Sequence, residues 1–366
     1  MGNVYYIDQN REKRNTAGAK APDDIAELCA KRNYKRFVIE QFPTNRSKLY
    51  QKIWLLVICN QQWRRLYHSI KDEDIVIFQH PSYGKRIAIR WIEKIRKQKK
   101  CTFIVLIHDL ESLRGGIAGV VEKNSKTNKI GDNQLLKCFD FIICHNERMR
   151  QYMLSQGFNA SKLVNLEIFD YLSNIQPEKR KKQNVPSICI AGNLAFGKSQ
   201  YIYKICENGH NTELKLNLYG INYKEELAAN NMLYHGSFKP EELPQYLSGD
   251  FGLVWDGDSA ETCSGNTGNY LRYNNPHKTS LYLSAGIPVI VWSQSAMAAF
   301  VQKNNVGIVT DSLDNLEQII LNISAEQYKK MVNNTMEISK KLHQGYYFYQ
   351  ALDKCLANLN STIETE

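Results

Sequence analysis

Residues 274–292 read NNPHKTSLYLSAGIPVIVW. The stretch has the makings of a helix that ends at Gly286, followed by a buried strand after Pro288. A helix amino terminus presents unpaired N–H groups and a partial positive charge. Adding His277 and Lys278 there makes a seat for an anion. GNLAFGKS (192–199) follows an apolar strand and fits the G-x-x-x-x-G-K-[ST] spacing of a phosphate-cradling loop. It equally suits a phosphate-facing loop of another nucleotide-binding fold, or an ordinary strand–helix turn. DGD (256–258) sets two carboxylates one residue apart after DFGLVWD, a spacing that could hold a divalent cation between phosphates. Direct contact with substrate hydroxyls and a solvated loop are its other readings. His108 and Asp109 close the apolar run CTFIVLIHD, where a carboxylate facing a cleft could act as a general base or simply cap a turn. The loop NTAGAKAP (15–22) contains Thr16, Ala17 and Gly18, small enough to let a ligand approach the backbone.

These residues need elements to carry them, and the chain supplies strands and helices in alternation. NVYYID, RFVIEQF, DIVIFQH, CTFIVLIHD and FDFIICHN are predicted strands in the first half. DDIAELCAKRN, a long, largely apolar helix over 48–70, and KRIAIRWIEKIRKQ separate them, and KLVNLEIFDY (162–171) closes that half. SNIQPEKRKKQNVP (173–186) has two prolines, a charge run and no apolar periodicity, which predicts a linker. SICIAG, LKLNLYG, MLYHGSF, DFGLVWD, IPVIVW and VGIVT repeat the strand pattern in the second half. Such alternation predicts two parallel sheets with helices on both faces. Ligands bind beyond the carboxyl ends of such strands, so the cleft between two facing domains is the expected site.

Composition agrees with a globular chain of 366 residues, 43% hydrophobic and 23% charged. The opening MGNVYYIDQN has no signal-peptide pattern, and no apolar run reaches the length of a membrane span. Nine cysteines without a C-x-x-C pair predict reduced, buried thiols and a cytoplasmic protein. The net charge of +10 is concentrated in KIRKQKK (94–100) and KRKK (179–182). Solvated faces explain such runs, and so does attraction to anionic lipid at the inner face of the membrane or to an anionic glycan carrier. No nucleic-acid module is recognisable, and a homo-oligomer is left open.

FGLVWDG followed by NPHKTSLYLSAGIPVIV resembles the C-terminal domain of bacterial glycosyltransferases of the GT-B type. The likeness is to galactofuranosyltransferases of surface polysaccharide synthesis and to the glucosyltransferase that extends N-acetylglucosamine on serine-rich repeat adhesins. It runs from DIVIFQH and VLIHD to GYYFYQAL near the end. The resemblance implies an α/β fold of two Rossmann-like, doubly wound domains facing a cleft. An acceptor domain would span 1–172, a linker 173–186 and a nucleotide-sugar domain 187–340. The C-terminal helix of 341–366 would pack back across the domains or end the core. Implied is a hexosyltransferase moving galactofuranose, or else glucose, from a UDP-sugar to a lipid-linked or protein-linked glycan, with no metal or other cofactor. A P-loop NTPase or kinase, and a non-catalytic scaffold of the same fold, are the competing functions.

Many retaining GT-B enzymes carry Gly-Arg and, five residues after the Arg, Lys on the donor diphosphate. Gly192 and Lys198 match, whereas Asn193 replaces the Arg. Tyr273 and Leu281 stand where those enzymes have two glutamates eight residues apart, which speaks against a retaining mechanism. The resemblance implies donor contacts from Gly192, Asn193, Lys198, Tyr219, Asn275, His277, Lys278, Thr279 and Ser280. It makes Asp109, with His108 beside it, the catalytic pair, and Thr16, Ala17 and Gly18 the acceptor contacts.

Overall fold

The computed structural model describes residues 2–10, 17–81, 84–114 and 131–363. Two six-stranded, wholly parallel sheets carry it. The first is built from β1 (Val4–Asn10), β2 (Lys35–Glu40), β3 (Ile75–His80), β4 (Thr102–Ile107), β5 (Phe141–Cys144) and β6 (Leu163–Asn165), in the order β2-β1-β3-β4-β5-β6. The second contains β7 (Ser187–Asn193), β8 (Lys215–Ile221), β9 (Met232–Tyr234), β10 (Phe251–Val254), β11 (Val289–Trp292) and β12 (Gly307–Thr310), in the order β12-β11-β10-β7-β8-β9. β3, β5, β10 and β11 are buried along their whole length. That is why they read as continuous apolar runs rather than alternating ones.

The chain leaves the first sheet as a buried segment. Residues 166–172 follow β6 as an irregular strap with Leu166, Ile168, Phe169 and Tyr171 buried. One core cluster joins the first sheet, this strap, the helix His277–Ser284 and the last helix, Tyr346–Ile363. That last helix packs back on the first domain. Asp170 accepts from the N–H groups of Tyr347 and Phe348, Tyr349 donates to the Leu28 carbonyl at 2.9 Å, and Arg32 forks onto Asp353.

Three local expectations change. The small-residue loop at 15–22 is largely helix: Ala17–Lys31 is helical, with Pro22 inside it. Thr16 lies outside the described residues, and Ala17 and Gly18 open that helix rather than lining a loop. The helix predicted over 48–70 is continuous but changes pitch, from Lys48–Trp54 through a π turn at Leu55–Cys59 to Asn60–Ser69. The basic run at 179–182 is partly tied down: Arg180 donates to the Leu247 and Gly249 carbonyls, and Lys182 to those of Leu321 and Ile323. All nine cysteines are free thiols, seven of them buried.

Candidate functional site

The carboxyl ends of the two sheets face each other across a cleft of about 450 Å³. From the first domain come Lys20, Asp109 and Arg114, and from the strap Tyr171. The second domain contributes Gly192, Asn193, Lys198, Tyr219, Asp256 and the start of the helix His277–Ser284.

Parallel strands put the second domain's cations together. β7 ends at Asn193, and one short helical turn later Lys198 points into the cleft. Lys278, one residue into its helix, reaches the same place, donating to Asp256 Oδ1 at 3.1 Å and to the Trp255 carbonyl at 3.3 Å. Gly192 leaves room for it: at φ +129°, a β-carbon there would lie 3.3 Å from Lys278 Cε. Asp256 thus stands between two lysines. It supports the charge of Lys198, but burial and the neighbouring Lys278 and Arg114 outweigh it, so the Lys198 pKa is lowered. Burial works against the Lys278 charge too, yet Asp256 more than offsets it and the pKa is raised. The pair is a preorganised cationic seat already occupied by an internal carboxylate.

Asp109 enters from the opposite wall. It follows β4 in a turn, and its Oδ2 accepts from Arg114 Nη1 at 2.9 Å. The side chain is 34% exposed. Burial raises its pKa above the usual carboxylate value, opposed by Arg114, the Tyr270 hydroxyl and Lys198. Tyr270, on the second domain, accepts from the Leu110 N–H at 2.9 Å and so pins the Asp109 turn across the cleft.

Several expected contacts have other work. His108 stacks on Phe169 at 5.4 Å with Nε2 against Gln79 Oε1 at 2.7 Å, outside the cleft lining. Asn275 is a stitch between domains: its Nδ2 donates to the carbonyls of His145 and Glu167, and its Oδ1 accepts from Asn146. Ser280 donates to the Phe169 carbonyl at 2.6 Å, and the Thr279 N–H is bonded to the Pro276 carbonyl. Neither side chain lines the cleft. Asn193 lines the cleft, and its Oδ1 accepts from the Ala195 N–H and from Asn222, so it also shapes its own turn. Tyr219 forms a wall, its ring stacked on His235 at 4.7 Å and its hydroxyl accepting from the Ser248 N–H. His277 does line the cleft, but as a neutral ring. Burial, with Lys20 nearby, brings its pKa down to about 4, and it stacks on Phe169 at 4.6 Å. The cation at this helix start is Lys278 alone.

The two carboxylates of DGD diverge. Asp256 faces the lysines, whereas Asp258 is exposed and bonded to the Ser264 hydroxyl. Among the described residues, no group of three or more His, Cys, Asp or Glu side chains is arranged to hold a metal ion. Sequence reasoning missed Arg114, Tyr270 and Lys20. Arg114 sits within sequence reach of Asp109, but nothing in the sequence ties Tyr270 to a loop 160 positions earlier.

Asn275 allows a direct separation of structural from ligand-binding roles. Asn275→Ala removes a donor to the carbonyls of His145 and Glu167 and the acceptor of Asn146 Nδ2, and is expected to cost about 2 kcal/mol of stability. UDP affinity at low temperature should be retained. Thermal melts beside calorimetry check this; a lost affinity with an unchanged melt would make Asn275 a ligand contact.

A family model described as the glucosyltransferase 3-like N-terminal domain matches residues 4–168, and one described as the corresponding C-terminal domain matches 188–355. Beta-1,6-galactofuranosyltransferase WbbI of Escherichia coli (strain K12) is 32% identical over 366 residues, covering 98% of this chain and 100% of that protein. Glucosyltransferase 3 of Streptococcus gordonii is 27% identical over 291 residues, covering 78% and 79%. Among solved structures, Anabaena HepE in complex with UDP-glucose matches with a TM-score of 0.58 at 12% identity, over 99% of this chain and 100% of that one. At that identity the likeness speaks for the fold alone.

Proposed function

The chain belongs to the glucosyltransferase 3-like family of bacterial glycosyltransferases and has the GT-B fold, and from that premise we propose that it transfers a hexosyl group from a UDP-sugar to a glycan hydroxyl, with inversion. Galactofuranose is the sugar put first, because the relative at 32% identity is a galactofuranosyltransferase. Glucose is the second reading, supported by the glucosyltransferase 3 relatives. The observation that carries the proposal is one cleft with a carboxylate of raised pKa on one wall and two lysines on the other.

The chemistry follows from that arrangement. The acceptor oxygen attacks the anomeric carbon as the bond from that carbon to the diphosphate breaks. Asp109 takes the acceptor proton. UDP departs with the electron pair, and Lys198 and Lys278 neutralise its charge, displacing Asp256 as their partner. His277, neutral, offers a hydrogen bond rather than a charge. A mixture of UDP-galactofuranose, UDP-glucose and other UDP-sugars, offered with mass spectrometry of the products, tests the donor. Protection against heating by UDP, but not by ATP with Mg²⁺, separates this reading from a P-loop enzyme.

The same two lysines support metal-independent transfer. We expect turnover to stay within about twofold in EDTA, since the two cations do the electrostatic work otherwise given to a metal. Complete loss in EDTA with rescue by Mn²⁺ would instead make Asp256 a metal ligand. Among the described residues no helix is long and apolar enough to cross a membrane. The proposed setting is the cytoplasm, at the inner face of the membrane, with the acceptor carried on lipid or protein. The exposed Arg90, Lys94 and Lys97 of the first domain support it.

A further inference from the structure

The helix beginning at Lys48 buries Trp54 and Cys59 but leaves five large apolar side chains in solvent. Leu49 is 69% exposed and Leu56 67%, with Tyr50, Ile53 and Val57 between 45% and 51%. Steps of four and three put Leu49, Ile53 and Leu56 on one stripe. Single exposed apolar residues need no explanation, but five within three turns form a patch that calls for a partner.

The charge around the stripe identifies the partner. From Thr44 to Lys71 there is no Asp or Glu, whereas Arg46, Lys48, Lys52, Arg64, Arg65 and Lys71 are all cationic. The neighbouring helix Lys85–Lys99 is tied to this one by Trp91 Nε1 donating to Asn60 Oδ1 at 2.8 Å, and it exposes Arg90, Lys94 and Lys97. Apolar side chains on a helical run whose own charged residues are all cations fit the boundary between acyl chains and anionic headgroups. A second copy of this chain seated there by twofold symmetry would bring these cations against themselves.

The position of the stripe gives it a purpose. Trp54 lies with Gln9 and Glu40, at the carboxyl ends of β1 and β2. That is the end of the first sheet from which Asp109 enters the cleft. We propose that the face formed by Leu49, Ile53 and Leu56 docks on an anionic phospholipid bilayer and holds the acceptor side of the cleft against it. The inference deepens the reading that the enzyme works at the membrane, and its purpose rests on that reading.

Vesicle flotation with the full chain is the test, using phosphatidylcholine with or without phosphatidylglycerol. Binding is expected only with phosphatidylglycerol, and should weaken as salt is raised. Leu49→Ser with Leu56→Ser should cut binding at least about tenfold. Lys48→Glu with Lys52→Glu, which leaves the apolar stripe intact, should also weaken it. UDP affinity by calorimetry should match wild type in both variants. Wild-type protein that ignores phosphatidylglycerol, or a leucine variant that floats unchanged, overturns the proposal. So does a dimer by light scattering that the leucine variant converts to monomer, because a second copy would then own the stripe. Failure of the donor reading shows differently, as wild-type protein that floats but binds no UDP.

Discussion

Asp109→Asn is expected to slow transfer by ~10²–10⁴-fold while leaving UDP affinity within about twofold. Asparagine keeps the size of the side chain and can still accept from Arg114, so the turn between β4 and the next helix should persist. What it loses is the capacity to take a proton. UDP affinity is expected to hold because the lysines proposed to meet the diphosphate belong to the other domain. The pH dependence adds a second, independent readout. Burial raises the Asp109 pKa, so the acid limb of kcat should lie above the ordinary carboxylate range, with the rate falling as pH drops and the base becomes protonated. Arg114 holds that pKa down. Arg114→Ala should therefore move the acid limb to higher pH, whereas Asp109→Asn should abolish it. Turnover that persists in Asp109→Asn, or a collapse of UDP affinity along with it, would remove Asp109 as the base and return Glu111 and a retaining mechanism to consideration.

Much of this architecture is written locally. β4 and β11 are unbroken apolar runs because both faces of a parallel sheet are covered, and they bring Asp109 and Lys278 to strand and helix ends where ligands bind. The segment 17–22 misled because Gly18 and Pro22 disfavour a helix interior, while its place is decided by Lys20 and Asp24 fastening the helix to the strap at Leu172. Side-chain commitments were less legible still. Asn275 is equally plausible as a cap, a ligand contact or a stitch until the carbonyls of His145 and Glu167 appear beside it. A histidine's charge depends on burial, which spacing does not express, and His277 is neutral for that reason. Tyr273, at a position where a glutamate was sought, packs edge-on against Tyr152 at 5.8 Å, so an apolar contact between domains fills that place.

Lys278→Ala should lower kcat/KM for the donor about 30- to 150-fold with the fold intact. One charge-assisted contact in a closed site is worth about 2–3 kcal/mol, and the rate follows exponentially. The Asp256 pairing sharpens the expectation. With Lys278 gone, Asp256 has one cation fewer beside it and presents more uncompensated negative charge to the diphosphate. The double variant Lys278→Ala with Asp256→Asn should therefore recover part of the lost UDP affinity, without restoring the rate. Lys198→Ala should be the milder single change in rate, but it should alter the alkaline side of UDP binding. The Lys198 pKa is lowered, so in wild type affinity should decline as pH rises through that value and the lysine loses its charge. Lys198→Ala should lack that decline. Calorimetric titration of UDP across pH, beside steady-state kinetics, measures both effects. Near wild-type kcat/KM in folded Lys278→Ala would mean that the anion sits elsewhere, and that the Lys278–Asp256 pair is only a brace between the helix His277–Ser284 and β10.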